Sequence, residues 1–323
     1  MIKIFKTNGV LQIVTLVAVV FAVWGKGLVS AADMQFVSTS GPIHMLLCAV
    51  LGKASVVGSV IAIILVLLEG YLLTDLLYRE GLIPINTLMP MLLYVMVTGM
   101  GANVIWLSPV VVANLFIILA LRAMMIGERM ALGDNNIFNT SIWFSIACLT
   151  WLPAVAAVVT VVAGLLTFKV YKAREWGIAL LGFAAPIIVL VTTFFLIDKP
   201  NAVLEMINTL IQNASLVNGN ELWMYIYSGV FGLLLIVASL VYASVLFSTT
   251  IAQRKGGFIL LSMLICGAVS TVFEGAVLPN GGCFAIVAAA AGTTMFLTPK
   301  RKLWIYDIVL LLMVAMSCVG WLV

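Results

Sequence analysis

The stretch from Glu80 to Arg122 reads EGLIPINTLMPMLLYVMVTGMGANVIWLSPVVVANLFIILALR and carries no charge between its two ends. A membrane-crossing helix needs about 20 apolar residues, with 17 to 25 usual, so this run is too long for one helix. The cluster Gly99-Met100-Gly101-Ala102-Asn103 divides it, and glycine pairs of this kind mark turns. Two helices joined tightly are the expected outcome. In lipid every backbone polar group must be satisfied within the structure that spans, which a helix does alone. Barrel strands would instead alternate apolar and polar residues, and this run does not.

The rest of the chain repeats the pattern. Of 323 residues, 64% are hydrophobic and 9% charged, against about 25% charged in ordinary soluble domains. The mean hydropathy is +1.25. Further spans are expected at 9–29, 55–77, 176–197, 222–247, 257–273, 281–297 and 303–323. The first is expected as a retained helix, because polytopic chains rarely need a cleaved signal. The run 135–168 is one very long helix or a hairpin broken near Pro153. Charge separates the two, since basic residues gather on the cytoplasmic side. A hairpin keeps Lys169, Lys172 and Arg174 with Arg122 and Arg129. The reading is therefore an all-α, polytopic bundle of about eleven spans in one integral membrane domain over 1–323. Its N-terminus is cytoplasmic and its C-terminus periplasmic. On that topology thirteen of the sixteen Lys and Arg lie inside, and Lys26, Lys53 and Lys199 lie outside.

Two stretches read as short helices lying on the outer membrane face, at about 41–53 and 201–214. In the first, Pro42 opens a helix and Ile43, Leu46, Leu47, Val50 and Leu51 recur at helical spacing. In the second, Val203, Ile207, Leu210 and Ile211 make the apolar stripe.

Most familiar chemistry is missing. One histidine and five scattered cysteines supply no metal spacing, so no metal and no cofactor is expected. The cysteines read as small apolar packing groups. No phosphate-cradling loop is present, and the net charge of +4 reflects membrane topology rather than nucleic-acid binding. Glu69 lies well inside the second span, where a carboxylate costs about 2.5 kcal/mol or more unless paired, hydrated or protonated. It reads as a proton or substrate site, or as a partner to another helix. Asp75, one turn from Arg79, reads as interface. Asn114 reads as a bond to a neighbouring helix, or with Glu69 as the lining of a midplane site. His44 reads as a surface histidine. Asp33 directly follows the first span on the outer face.

Two resemblances add to this. Ser108-Pro109, Ala113-Asn114-Leu115-Phe116, Ser145-Ile146-Ala147, Leu152-Pro153 and Arg174-Glu175-Trp176, followed by Gly182 and Pro186, resemble an uncharacterised polytopic integral membrane family of Bacteroidota. That resemblance implies a multi-pass protein of the cell inner membrane. The placement of Asp33 before an outer-face helix resembles the C-type-fold glycosyltransferases, which take polyprenyl-linked sugar donors. It implies envelope biogenesis on a polyprenyl-linked glycan, with Asp33 as general base and Lys53 and Lys199 on the donor phosphate. Asp33 has no acidic neighbour, and no arginine faces outward to hold that phosphate. Two other functions remain open: a secondary transporter with its site near Glu69 and Asn114, and a non-enzymatic subunit of a membrane complex. Membrane lipids, a polyprenyl-phosphate donor and other membrane proteins are the expected partners.

Overall fold

A computed structural model describes residues 10–25, 28, 40–51, 55–83, 87–99, 107–125, 132–197, 222–248, 250–273 and 283–297. Among them are eleven α-helices: α1 (Val10–Trp24), α2 (Pro42–Leu51), α3 (Ser55–Arg79), α4 (Met89–Gly99), α5 (Pro109–Met125), α6 (Asp134–Thr150), α7 (Val158–Thr167), α8 (Ala173–Leu196), α9 (Leu222–Ser248), α10 (Ile251–Phe273) and α11 (Cys283–Leu297). A short 3-10 segment, Leu152–Ala157, joins α6 to α7. The chain is thus all-helical. Three stretches are long and apolar enough to cross a membrane: Val56–Arg79, Ala173–Leu196 and Gly229–Phe247.

Local sequence explains the ends. Ser108 Oγ accepts from the Val111 amide at 3.3 Å, capping α5 one residue before its opening proline. The Glu175 carboxylate accepts from the Lys172 amide at 3.3 Å at the start of α8. Gly81, at φ +66°, closes α3 in the left-handed conformation that glycine adopts freely. The Leu82 amide then donates back to the Leu77 carbonyl at 3.0 Å.

α1 stops at Trp24 and α4 has 11 residues, both shorter than the apolar runs suggest. α4 is described as far as Gly99, the first glycine of the cluster that divides the run. From Met89 to Thr98 every residue of it is buried. A helix so enclosed meets protein rather than lipid along its sides. α11 is likewise buried from Ala285 to Met295. These two short helices form the middle of the bundle, with α1, α3 and α11 against α4 and with α9 and α10 against α11. Close approach relies on small residues, as in membrane bundles generally. A side chain at Gly267 would run into the Ala285 backbone. α8 is peripheral: only Ala179, Gly182 and Leu190 are buried, and Leu180, Leu181, Phe195 and Leu196 are exposed.

The chain doubles back at Pro153. Trp151 is extended at φ −141°, ψ 110°, and ends α6. Arg174, at the start of α8, pairs with Asp134, at the start of α6, at 3.0 Å. A Cβ at Gly182 would meet the Phe138 carbonyl at 2.8 Å, and Ser145 Oγ donates to the Phe183 carbonyl at 2.7 Å. α6 and α8 therefore run parallel, and the 3-10 segment with α7 forms the return.

One end of the bundle collects the charge. Asp75 pairs with Arg79 at 2.8 Å and with Arg122 at 3.1 Å. Gly256 packs on Met125 and Leu82, and Gln253 donates to the Gly81 carbonyl. Lys255 lies 5.0 Å from the centre of the Phe168 ring. Every Lys and Arg among the described residues (Arg79, Arg122, Lys169, Lys172, Arg174, Arg254 and Lys255) belongs to this end. α2 lies at the other. The Gly41 amide donates to the Thr150 carbonyl at 2.9 Å, and Ser40 and Trp151 form one isolated antiparallel bridge.

Candidate functional site

α3 turns Ala62, Val66, Glu69, Leu73, Leu76 and Leu77 inward, a spacing of three and four that keeps them on one helix face. Glu69 is the only charged residue of that face and has no exposed surface. Tyr94, equally buried on α4, donates from its hydroxyl to Glu69 Oε2 at 2.7 Å. Glu69 Oε1 has no hydrogen-bond partner. From the third side comes α5, whose backbone at Leu115 lies within electrostatic reach of the carboxylate. The residue before it, Asn114, is fully buried, and neither its Nδ2 nor its Oδ1 has a partner. Unpaired buried polar groups cost about 1–3 kcal/mol each, so this cluster is held against its own desolvation.

Among the described residues no arginine relieves it. Arg79 and Arg122, at the nearer helix ends, are both taken by Asp75. Thr74 between them closes on its own helix, donating to the Gly70 carbonyl at 2.8 Å.

The opposite end of the bundle holds a second feature. His44 on α2 is 2% exposed, which corrects its reading as a surface histidine. Its imidazole faces α5 because Gly41 and Ser40 are fixed to the end of α6. The Leu107 carbonyl lies 3.0 Å from His44 Nε2. A carbonyl only accepts, so Nε2 carries the proton and donates. Cys48 Sγ lies 3.8 Å from Nδ1. Burial pushes the His44 imidazole below its ordinary value, and the bond to Leu107 opposes that shift.

Beside α2 runs an apolar groove of about 490 Å³. Ile43 and Leu46 of α2, Ile146 and Leu149 of α6, and Pro186 and Val189 of α8 are among its walls. No charged side chain lines it. Leu46 and Val189 are 48% and 65% exposed, so the groove opens onto the exposed flank of α8.

Glu69 and Asn114 are both fully buried, on α3 and α5, two helices that pack together. Asp33, Lys53 and Lys199 lie outside the described residues, as do the expected helix at 201–214 and the expected span at 303–323. Tyr94 was not legible as a site residue, since its only signal is a hydroxyl in an otherwise apolar run. Cys48, Cys148 and Cys266 are buried and form no disulfide. Among the described residues no three His, Cys, Asp or Glu gather as a metal site. No protein-family model, no curated protein and no solved structure matches the chain.

Proposed function

We propose that the chain is an eleven-span protein of the cytoplasmic membrane, N-terminus inside and C-terminus outside, that acts in envelope biogenesis on a polyprenyl-linked glycan. The observation that carries this reading is the apolar groove beside α2. Its volume is in the usual range for ligand sites. Its walls suit a hydrocarbon chain, and its side opening admits one from the bilayer. It lies at the end away from the cations, which the positive-inside rule assigns to the outer leaflet. Asp33 precedes Ser40, which lies just before α2, by seven positions.

In the enzymatic form, the polyprenyl chain rests in the groove while the headgroup lies at the outer surface. Asp33 accepts the proton of the acceptor hydroxyl as general base. The acceptor oxygen bonds to the anomeric carbon as the bond from that carbon to the phosphate oxygen breaks. Lys53 and Lys199 neutralise the departing phosphate.

The test is to purify the full chain and compare Asp33→Asn with a Glu205→Gln control. Losing a catalytic base costs about a hundredfold or more in rate. Asp33→Asn should therefore abolish the envelope product at normal expression, and polyprenyl phosphates should co-purify above their share of membrane lipid. Full activity of Asp33→Asn, with only bulk phospholipid bound, would return the chain to the reading of a non-enzymatic subunit.

A further inference from the structure

We infer that Glu69 is a proton-binding centre inside the membrane part of the bundle, with Tyr94 as its fixed hydrogen-bond donor and Asn114 as the polar group that receives the proton-bearing oxygen. The inference is independent of the groove and of Asp33. It starts from the one face of α3 that carries a carboxylate into an interior with no basic partner among the described residues.

The elements packed against α3 can be searched for compensating charge. α4 brings Tyr94 as its only titratable group, and that hydroxyl already donates to Oε2. α5 brings Arg122, which pairs with Asp75. α11 brings none between Ala285 and Leu297. On α3 itself the charged groups are Asp75 and Arg79, paired with each other, and Tyr71 and Tyr78 are exposed. Among the described residues no basic group is left to face Glu69, and in this proposal a bound cation neutralises it.

The choice between a proton and a metal ion follows from the ligand count. Calcium and magnesium take about six or more oxygens, and only two other side chains with oxygen are implicated here. A proton needs one lone pair, and Oε1 has it free. The step is simple to balance: the carboxylate takes H⁺ on Oε1 to become a carboxylic acid and releases it by the same bond. Once protonated, Oε1 becomes a donor and needs an acceptor. Asn114 Oδ1 is buried and unsatisfied, on the helix whose Leu115 backbone already reaches the carboxylate.

A route to water is short. Asp75 is six residues further along α3, about 9 Å at 1.5 Å per residue, and its side chain is 20% exposed at the cationic end. Binding and release change the charge between α3, α4 and α5 by one unit, which is the kind of event that intramembrane acids supply in proton relays and coupled transporters.

The experiment is an infrared difference titration of the full chain in lipid vesicles. The wild type should show the C=O stretch of a buried carboxylic acid that appears and disappears with pH. Glu69→Gln should lose the band, Tyr94→Phe should shift it, and sodium should leave it unchanged. A band that survives Glu69→Gln, or that is absent or constant across the pH range of the folded protein, overturns the inference. Loss of the band on adding sodium at fixed pH assigns a metal cation instead and also overturns it. If Glu69→Gln does not fold, Tyr94→Phe decides alone, and an unshifted band counts against the centre. Asp33→Asn should leave the band intact, so failure here and failure of the glycan reading are separate results.

Discussion

Arg174 holds Asp134 at 3.0 Å, and this pair fixes the direction of three helices. It ties the start of α8 to the start of α6, so the chain between them must go out and return. A continuous helix over the same residues would carry Arg174 to the far end. Reporter fusions read this directly. A fusion after Ala156 should report the periplasm and one after Lys172 the cytoplasm, in keeping with the gathering of cations inside. The same side for both fusions would refute the doubling-back.

Tyr94→Phe removes the side-chain hydrogen bond that Glu69 Oε2 accepts. It leaves Oε2 as bare as Oε1, and an orphaned buried acceptor costs about 1–3 kcal/mol. Thermal unfolding in detergent should show a lower midpoint for Tyr94→Phe than for the wild type. Glu69→Leu removes the desolvated carboxyl altogether and should unfold at a higher temperature than Tyr94→Phe. The reverse order would mean that the carboxylate stabilises the bundle through some other contact.

Much of this was legible from composition, and the rest was hidden for a physical reason. Apolar runs announce helices in lipid, and Pro153 marks a break in the structure, whereas Gly182 and Pro186 sit inside α8 without ending it. Glu69 stands out because charge is rare inside a span. Which way it faces does not, since α3 is apolar on all sides: Ile64 and Leu68 face outward and Val66 and Leu73 inward, with nothing in their chemistry to separate them. In water an amphipathic pattern would have told them apart. Tyr94 is hidden for the same reason on α4. His44 was misplaced because the short α2 was expected to lie flat on the membrane face, whereas its Ser40–Gly41 end is tied into the bundle.

Gly41→Ala tests that tie. A Cβ at Gly41 would overlap the backbone carbonyl of Leu149, which cannot rotate away as a side chain would. The amide bond to Thr150 must then lengthen or the end of α6 must move. The variant should lose thermal stability and expose α2 to protease. Gly177→Ala is the control, because a Cβ there meets nothing within 4 Å and alanine favours the helix by about 0.8–1 kcal/mol. Equal loss in both variants would show that the effect is not the overlap at Leu149.

The His44 contact makes the docking of α2 sensitive to acid. Burial lowers the imidazole's proton affinity in the folded state, with the Leu107 carbonyl acting against that trend. The unfolded value is about 6.5. Above it both states are neutral, and the contribution to stability is whole. As pH falls below it, the undocked state takes a proton that the buried ring resists, so stability is lost down to the lowered folded value and no further. One proton limits the slope to about tenfold per pH unit in the docking equilibrium. Hydrogen exchange over 42–51, corrected for the intrinsic pH dependence of exchange, should therefore lose protection as the pH passes below about 6.5. His44→Gln keeps an N–H donor but cannot titrate, so its protection should be flat over the same interval. A wild type as flat as His44→Gln would mean that the ring leaves its pocket or keeps its neutral form without cost, and that α2 is held by Gly41 and Ser40 alone.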